Sequence, residues 1–234
     1  MEKTKVFNQV ILDKSGSMEQ IRQAAIDGFN EVLSGIVHAQ QQYADTQEHY
    51  VSLVVFSDSD VRVVCDNLRV GQVKPLGNDD YEPYGMTPLY DAIGLSLTRL
   101  EQRTAGCNDV AVVVTIITDG LENASREYNR ESIRRMIDEM KGKGWAFNFM
   151  GANQDSYTSA SGIGIYHSRD FDYTPKGTQR AFGFTRNWTE RFTRRLNDFR
   201  KQEEAEGMAY SAELRQRSYS EMASNAYDEA EEPT

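Results

Sequence analysis

Cysteine is scarce in this sequence, with two residues in a chain of 234. Cys65 and Cys107 form no CxxC pair and have no histidine cluster beside them, which excludes the usual zinc-binding spacings. One disulfide between them is an alternative, but two free thiols in a reducing compartment are the simpler interpretation. A chain of this length buries enough apolar surface to fold without disulfides or a structural metal.

The sequence also lacks a long apolar run. No stretch of about 18 apolar residues occurs, so no membrane-spanning helix is predicted. The first residues, MEKTKVFNQVILD, show neither a span nor the small-residue cleavage site of a secretory signal. The formal net charge is -10, which argues against a broad binding surface for nucleic acid or anionic lipid. We therefore expect a cytoplasmic protein that binds neither nucleic acid nor membrane.

Signature motifs of common enzyme classes are missing as well: there is no P-loop, no HExxH and no GxSxG. An aspartate after the first strand could suggest Mg²⁺-dependent phosphoryl transfer, but no glycine-rich loop is present to hold a phosphate. A serine hydrolase would need a histidine near Ser15 or Ser17. The histidines lie elsewhere, at His38, His49 and His167. We expect a protein that is not an enzyme.

Apolar strands alternate with amphipathic helices along the chain. The strongest strand is VAVVVTII (110–117), which is apolar throughout and therefore typical of a strand buried on both faces. This alternation predicts an α/β fold with a mostly parallel sheet between layers of helices. The link between strands 50–56 and 61–65 is too short for a parallel crossover and predicts an antiparallel hairpin. Further strands are predicted at 6–12, 145–150 and 165–168, and helices at 18–42, 89–100, 129–140, 155–161 and 178–200.

Residues 203–234 differ in composition from the rest of the chain. They are polar, rich in Glu, Ala and Ser, and end in DEAEEPT. We expect one domain over residues 1–202, followed by an acidic tail that is weakly helical or disordered. A helix docked on the domain is the alternative.

Three polar segments lie where a parallel sheet places its binding sites, beyond the carboxyl ends of strands. Residues 13–17 follow the first strand, 85–88 open the second long helix, and 118–120 follow the strand at 110–117. If the first and fourth strands are neighbours, Asp13 and Asp119 meet. Two carboxylates with serine and threonine hydroxyls suit Mg²⁺ or Mn²⁺ better than Ca²⁺. Two carboxylates roughly cancel the charge of a dication, and the hydroxyl ligands add none. Such a site therefore favours one more anionic oxygen from a partner.

Each segment also has a purely local interpretation. Ser17 with Gln20 matches a capping box, and Thr87 before Pro88 matches a helix N-cap. Asp119-Gly120 is a common turn dipeptide. The occurrence of all three segments in order, each at the correct end of its element, favours a shared site.

At these positions the sequence resembles the von Willebrand factor A domains. DKSGSM (13–18) resembles the DxSxS motif of that family's metal-ion-dependent adhesion site, GMTPLYDAI (85–93) its threonine loop and VVTIITDGLEN (113–123) its third loop. The similarity runs from about Val6 to Arg200. It implies a doubly wound, six-stranded sheet in the order 3-2-1-4-5-6, with one antiparallel edge strand near Val61.

FMGANQDSY (149–157) and KGTQRAF (176–182) resemble segments of small, stand-alone bacterial or phage members of the family. Partners of stand-alone bacterial members include ring-forming ATPases of the same operon. The resemblance therefore implies a binding module for a protein with an exposed Glu or Asp, which such an ATPase could supply. A structural scaffold with a non-essential metal site is the alternative.

The resemblance also assigns the metal ligands. Ser15 and Ser17 would bind the cation directly, and Asp13 and Asp119 directly or through water. Thr87 would bind directly when a partner is engaged. The neighbouring residues would form the rim that touches the partner: Lys14, Gly16, Met18, Met86 and Gly120.

Overall fold

The computed structural model describes residues 2–58, 60–119, 121–152, 156–171, 175–207 and 210–231. Strands and helices alternate much as the sequence predicts. The strands are β1 (Thr4–Asp13), β2 (Gln47–Ser57), β3 (Asp60–Arg69), β4 (Val110–Thr118), β5 (Ala146–Ala152) and β6 (Ser168–Phe171). The helices are α1 (Arg22–Gln42), α2 (Leu89–Thr104), α3 (Arg130–Gly142), α4 (Ser156–Gly162), α5 (Pro175–Glu206) and α6 (Ala212–Glu231).

The six strands form one sheet in the order β3-β2-β1-β4-β5-β6. β1 lies in parallel between β2 and β4, and β5 and β6 continue the parallel pairing. β3 alone in this sheet is antiparallel, paired with β2 through the predicted hairpin. This order confirms the predicted doubly wound α/β fold. Because β1 and β4 are parallel neighbours, their carboxyl ends lie side by side at the same end of the sheet.

The last strand begins later than predicted. Residues 165–168 were expected to form it, but Ile165 still belongs to the turn after α4, since its N–H donates to the carbonyl of Ala160 at 2.8 Å. Ile165 is fully buried against that helix. β6 therefore starts only at Ser168.

The central strands are buried on both faces, as their apolar sequences predict. In β1, Phe7 and Ile11 pack on the face covered by α2 and α3, while Val10 and Leu12 pack on the face covered by α1 and α5. The contact between α1 and α5 is especially close. A Cβ atom at Gly28 would lie 1.8 Å from the ring of Phe182, so the two helices approach as they do only because that residue is glycine.

The C-terminal segment is a docked helix, where a weakly helical or disordered tail beyond residue 202 was expected. α5 continues to Glu206, and α6 then packs beside it on the sheet. The indole N–H of Trp188 on α5 donates to the carbonyl of Ala223 on α6 at 2.8 Å. Together with α5, α6 covers apolar residues of β4 and β5. Its buried face consists of Tyr219, Ala223, Ala226 and Tyr227.

A buried ionic cluster joins α6 to the amino-terminal end of the sheet. Arg200 on α5 pairs with Asp109, which precedes β4, at 3.1 Å and also with Glu203. Arg215 on α6 donates to Glu203 at 3.0 Å. The Tyr219 hydroxyl donates to Asp109 at 2.8 Å. Two arginines thus offset two buried carboxylates, and we call these four charged residues the basal cluster.

Two further expectations concern the chain as a whole. Cys65 and Cys107 are both free thiols, in agreement with the simpler interpretation of the sequence. Among the described residues, no helix is both long and apolar enough to cross a membrane.

Candidate metal site

The site is organised around Asp13, the last residue of β1, whose side chain is fully buried. Its Oδ1 accepts a hydrogen bond from the backbone N–H of Ser15 at 2.7 Å, and its Oδ2 accepts one from the Thr118 hydroxyl at 2.6 Å. Tyr81 donates its hydroxyl to the carbonyl oxygen of Asp13. The carboxylate is therefore held in one orientation by groups from β1, β4 and their loops.

Oxygen atoms from the first and third loops come together above this carboxylate. The Ser17 hydroxyl donates to Oδ1 of Asp119 at 2.7 Å, across 102 positions of sequence. The hydroxyl oxygens of Ser15 and Ser17 lie 3.2 Å apart. An octahedral Mg²⁺ with ligands at 2.0–2.1 Å requires about 3 Å between adjacent ligand oxygens. The observed spacings match that requirement.

Thr87 is brought to the same place by backbone contacts. Its N–H donates to Oδ1 of Asn123 at 2.8 Å, and its carbonyl accepts from the Asn123 N–H at 3.1 Å, which ties the threonine loop to the third loop. The N–H of Gly16 donates to the carbonyl of Gly85 at 2.9 Å and ties the first loop to the threonine loop. All three predicted segments therefore meet.

The threonine loop is also braced from the β2–β3 hairpin. Asp58 accepts from the Met86 N–H at 2.7 Å, and its own N–H donates to the Met86 carbonyl at 2.8 Å. Gly85 has a φ of +72°, and a Cβ atom there would lie 2.2 Å from the Asp58 carboxylate. Glycine is therefore required at position 85 both by backbone conformation and by space.

The hydroxyls predicted as ligands do not cap helices. A 3₁₀ turn over Gly16–Ile21 precedes α1, and neither that turn nor α1 has a side-chain cap. α2 begins after Pro88, also without a side-chain cap at that position. Instead, third-loop residues serve the start of α2: Glu122 accepts from the Tyr90 N–H at 2.9 Å. The local capping interpretation of Ser17 and Thr87 is wrong, and their hydroxyls remain for the site.

Burial raises the pKa of Asp13 to about 6, and the nearby Asp119 carboxylate acts in the same direction. The hydrogen bonds from Thr118 and Ser15 oppose this shift but do not cancel it. In the part of the chain that the structure describes, no lysine or arginine forms an ion pair with Asp13. A bound cation would supply the missing positive charge and favour the ionised carboxylate.

The donor set fits a hard dication. In the described ranges, no group of three or more imidazole, thiolate or carboxylate side chains is arranged to hold a metal ion. A metal here would therefore rely on hydroxyl oxygens as well as two carboxylates, which is the chemistry of Mg²⁺ or Mn²⁺ rather than of zinc in a structural site.

The predicted rim is only partly exposed. Gly16 is exposed, and the Met86 side chain is 53% exposed. Lys14 is largely buried, with its ammonium nitrogen 4.5 Å from the centre of the Tyr84 ring. Met18 is a correction: the 3₁₀ turn directs its side chain into the core beside α1, where it is fully buried. Gly120 lies outside the described residues.

Sequence reasoning missed four residues that support the predicted ligands. Thr118 had a usable signal, since it is a polar residue at the end of an apolar strand next to a predicted ligand. Asn123 lies within the third-loop segment but has no local pattern that marks its contact with Thr87. Tyr81 and Asp58 come from segments with no motif at all, and only the fold brings them to the site.

A model of the von Willebrand factor type A domain family matches residues 9–204. The chain belongs to that family. No curated protein sequence matches it.

Three solved structures illustrate the shared fold. The pilus adhesin SpaC from Lactobacillus rhamnosus GG has a TM-score of 0.60 at 13% identity, and the match covers 82% of this chain and 31% of the adhesin. A von Willebrand factor type A protein from Catenulispora acidiphila has a TM-score of 0.52 at 14% identity, covering 80% and 42%. Proximal thread matrix protein 1 from the mussel byssus, with a zinc-occupied MIDAS motif, has a TM-score of 0.52 at 12% identity, covering 79% and 45%. The chain thus spans less than half the length of each.

Proposed function

We propose that this chain is a non-catalytic, cytoplasmic protein-binding module that holds Mg²⁺, or Mn²⁺ in its place, at the carboxyl ends of β1 and β4. Ser15, Ser17 and Asp119 would bind the cation, with Asp13 and Thr87 completing its surroundings. The observation that carries the proposal is the approach of the Ser17 hydroxyl to Asp119 at 2.7 Å and to Ser15 at 3.2 Å. These spacings suit adjacent ligands of one small cation.

The partner would be a protein that presents an exposed Glu or Asp, and an ATPase encoded in the same operon remains our proposed example. When bound, the cation offers positive charge and an open coordination position to an anionic oxygen. The protein's own residues hold the site for that encounter. The loops are cross-braced by backbone hydrogen bonds, so the ligand oxygens are positioned before a partner arrives. Binding then costs little reorganisation.

The absence of a nearby histidine supports the non-catalytic proposal. All three histidines are among the described residues: His38 lies on α1, and His49 is buried in β2 far from that strand's carboxyl end. His167 precedes β6 and stacks on Tyr227 of α6. None is placed beside the hydroxyls of Ser15 or Ser17 to activate them.

The direct test is a Mg²⁺ and Mn²⁺ titration by calorimetry together with thermal unfolding. The wild type should bind one cation and gain thermal stability, because a ligand of the folded state stabilises it. Asp119→Asn should lose both effects. Asp138→Asn, the same change on the exposed face of α3, should lose neither.

Two outcomes would contradict the proposal. Equal, negligible binding by the wild type and Asp119→Asn would favour a structural scaffold with a non-essential site. Metal-dependent hydrolysis of a phosphate ester by the wild type, abolished in Asp13→Ala, would favour an enzyme.

A further inference from the structure

Several of the large apolar side chains that the described residues expose lie on the loops of the metal site. Tyr84 is 44% exposed, Met86 53% and Leu121 60%. Met86 adjoins the predicted ligand Thr87, and Leu121 follows Asp119 by two positions. Other exposed apolar residues are spread over β3, α2, α4, the β6 approach and α6. Single exposed apolar residues are common, but a group around one site marks an interaction surface.

Hydrogen bonds hold the backbone at Tyr84 and Met86. The Tyr84 N–H donates to the Lys14 carbonyl at 2.9 Å, and Met86 is bonded to Asp58 through both its N–H and its carbonyl. Leu121 lies between Asp119, which bonds to Ser17, and the third-loop residues that bond to the threonine loop and α2. Their exposure therefore comes from loops held in place on both sides of the site.

The charges around the site select a single carboxylate. The Lys14 ammonium lies 4.5 Å from the centre of the Tyr84 ring and would add to the positive charge of a bound cation. Glu82 and Glu19, which lies 4.0 Å from the Arg22 guanidinium, are on the same loops and are both exposed. A segment with several acidic residues would meet these carboxylates and be repelled. A lone acidic residue between apolar neighbours would meet the cation at the centre and apolar side chains around it.

We propose that Tyr84, Met86 and Leu121 form an apolar rim, and that the partner presents one Glu or Asp flanked by large apolar side chains. This inference rests on the proposed function, since it names the partner segment that completes the same site. Apolar contacts around the carboxylate would exclude water from the contact between the acidic oxygen and the cation, as surrounding residues do at interface hot spots.

The test uses a displayed library of nine-residue peptides with a central Glu and random flanks, selected on the protein in Mg²⁺ and eluted with EDTA. We expect Leu, Met, Phe and Tyr to be enriched beside the Glu. A selected peptide should lose Mg²⁺-dependent binding when its Glu is changed to Gln. The triple variant Tyr84→Ser, Met86→Ser, Leu121→Ser should bind Mg²⁺ as the wild type does. Its affinity for the peptide should be lower than that of the wild type by about tenfold or more.

A matched control changes three exposed apolar residues away from the site: Val64→Ser, Leu95→Ser and Leu214→Ser. Its peptide affinity should equal that of the wild type. EDTA-eluted peptides with polar or acidic flanks would overturn the rim while leaving the proposed function intact. So would equal peptide binding by the rim variant and the wild type. A protein that binds no Mg²⁺ in calorimetry would overturn the proposed function and this inference with it.

Discussion

The two ends of the sheet each bury a carboxylate, and they treat it in opposite ways. At the amino-terminal end, Asp109 lies among Arg200, Arg215 and the Tyr219 hydroxyl, so the protein itself supplies the counter-charge. At the carboxyl end, Asp13 has hydrogen-bond donors and a second carboxylate nearby, but among the described residues no cation pairs with it. The amino-terminal end therefore has its counter-charges in place, whereas the described residues at the carboxyl end leave Asp13 short of positive charge.

The physical reason for the difference is the cost of burying charge. An unpaired buried carboxylate is disfavoured by desolvation, and the raised pKa of Asp13 reports that cost. A fold tolerates such a group where something from outside offsets the charge. The basal cluster therefore carries its own counter-charge, while the Asp13 carboxylate would gain from a cation supplied from outside. Each prediction below breaks or sharpens this contrast.

The largest effect is expected at the basal cluster. Arg200→Met would leave Asp109 and Glu203 with less counter-charge inside the protein, and breaking a buried pair in this way costs about 3–5 kcal/mol of unfolding free energy. Urea unfolding without Mg²⁺ measures it. Arg217→Met, which removes an exposed pair with Glu221 at 3.2 Å, should change stability by less than about 1 kcal/mol. Equal losses in the two variants would contradict a special role for the cluster.

At the carboxyl end of the sheet, a substitution of the buried carboxylate is expected to raise stability rather than lower it. Asp13→Asn removes the buried charge but keeps the shape and can keep the hydrogen bonds to Ser15 and Thr118. The shift of the Asp13 pKa from 3.8 to about 6 corresponds to roughly 3 kcal/mol at neutral pH. The metal-free variant should therefore be more stable than the wild type, by up to that amount, and should gain nothing from Mg²⁺.

Thermal unfolding with and without Mg²⁺ measures both properties of the Asp13 variant, and Asp138→Asn is the control on an exposed helix face. A variant that is less stable than the wild type without metal, or still stabilised by Mg²⁺, would contradict the contrast between the two ends.

The docking of α6 can be tested by two glycines in matched positions. Gly106 and Gly144 both follow a helix, with φ of +79° and +84°. A Cβ atom at Gly144 would lie 2.2 Å from the carbonyl oxygen of Gln216 on α6, whereas none of the described neighbours lies within 4 Å at Gly106. Gly144→Ala should therefore cost about 1–3 kcal/mol more than Gly106→Ala, because it also forces α6 away.

Urea unfolding compares the two glycine variants, and hydrogen exchange of α6 amides locates the effect. Magnesium affinity should stay at the wild-type value in both. Equal stability of the two variants, with equal protection of α6, would show that α6 does not pack closely at this end.

The smallest effect is a pH dependence of metal binding. The folded-state pKa of Asp13 is raised, so its burial cost is present above pH 6 and disappears as the pH falls from about 6 towards 3.8. A cation competes with the proton for this carboxylate. Below pH 6, Mg²⁺ affinity should therefore fall by up to about tenfold per pH unit, which calorimetry in matched buffers measures.

Burial of His49 gives the metal-free protein an opposing acid response. Its pKa is lowered to about 4, so between pH 6.5 and 4 the unfolded chain binds a proton at this histidine more readily than the folded protein does. The free energy of unfolding therefore falls as the pH drops from 6.5 to about 4. Asp13→Asn keeps this loss and removes the compensating gain from Asp13. The variant should therefore lose stability more steeply with acid than the wild type. Parallel curves would contradict the raised pKa of Asp13.

Much of the fold follows from local patterns. Apolar strands such as 110–117 and amphipathic helices such as 89–100 can be predicted from short sequence patterns, because each element must bury one face or both. The meeting of the three motif segments was also predictable, since each one stood at the end of one of these elements. Met18 was not: a residue beside the motif was expected at the surface, but the 3₁₀ turn rotates it into the core.

The C-terminal helix shows why composition misled. Its buried residues recur at helical spacing, but two are alanines and two are tyrosines, in a segment that is otherwise polar. Such a face is too weakly apolar to predict burial by itself. It becomes a core face only because α5 and one face of β4 and β5 leave a surface that small residues and aromatic rings fit.

The sequence by itself determined the element order, the kinds of oxygen donors and their positions at strand ends, because these depend on short-range periodicity and on residue chemistry. Tertiary structure alone decided which donors lie within reach of one another and that Asp58 and Tyr81 support the site. It also decided that Asp13 is buried with no ion pair to any residue the structure describes, while Asp109 pairs with two arginines. Those outcomes depend on contacts between residues far apart in the chain, and the energy of a buried charge is set by everything packed around it.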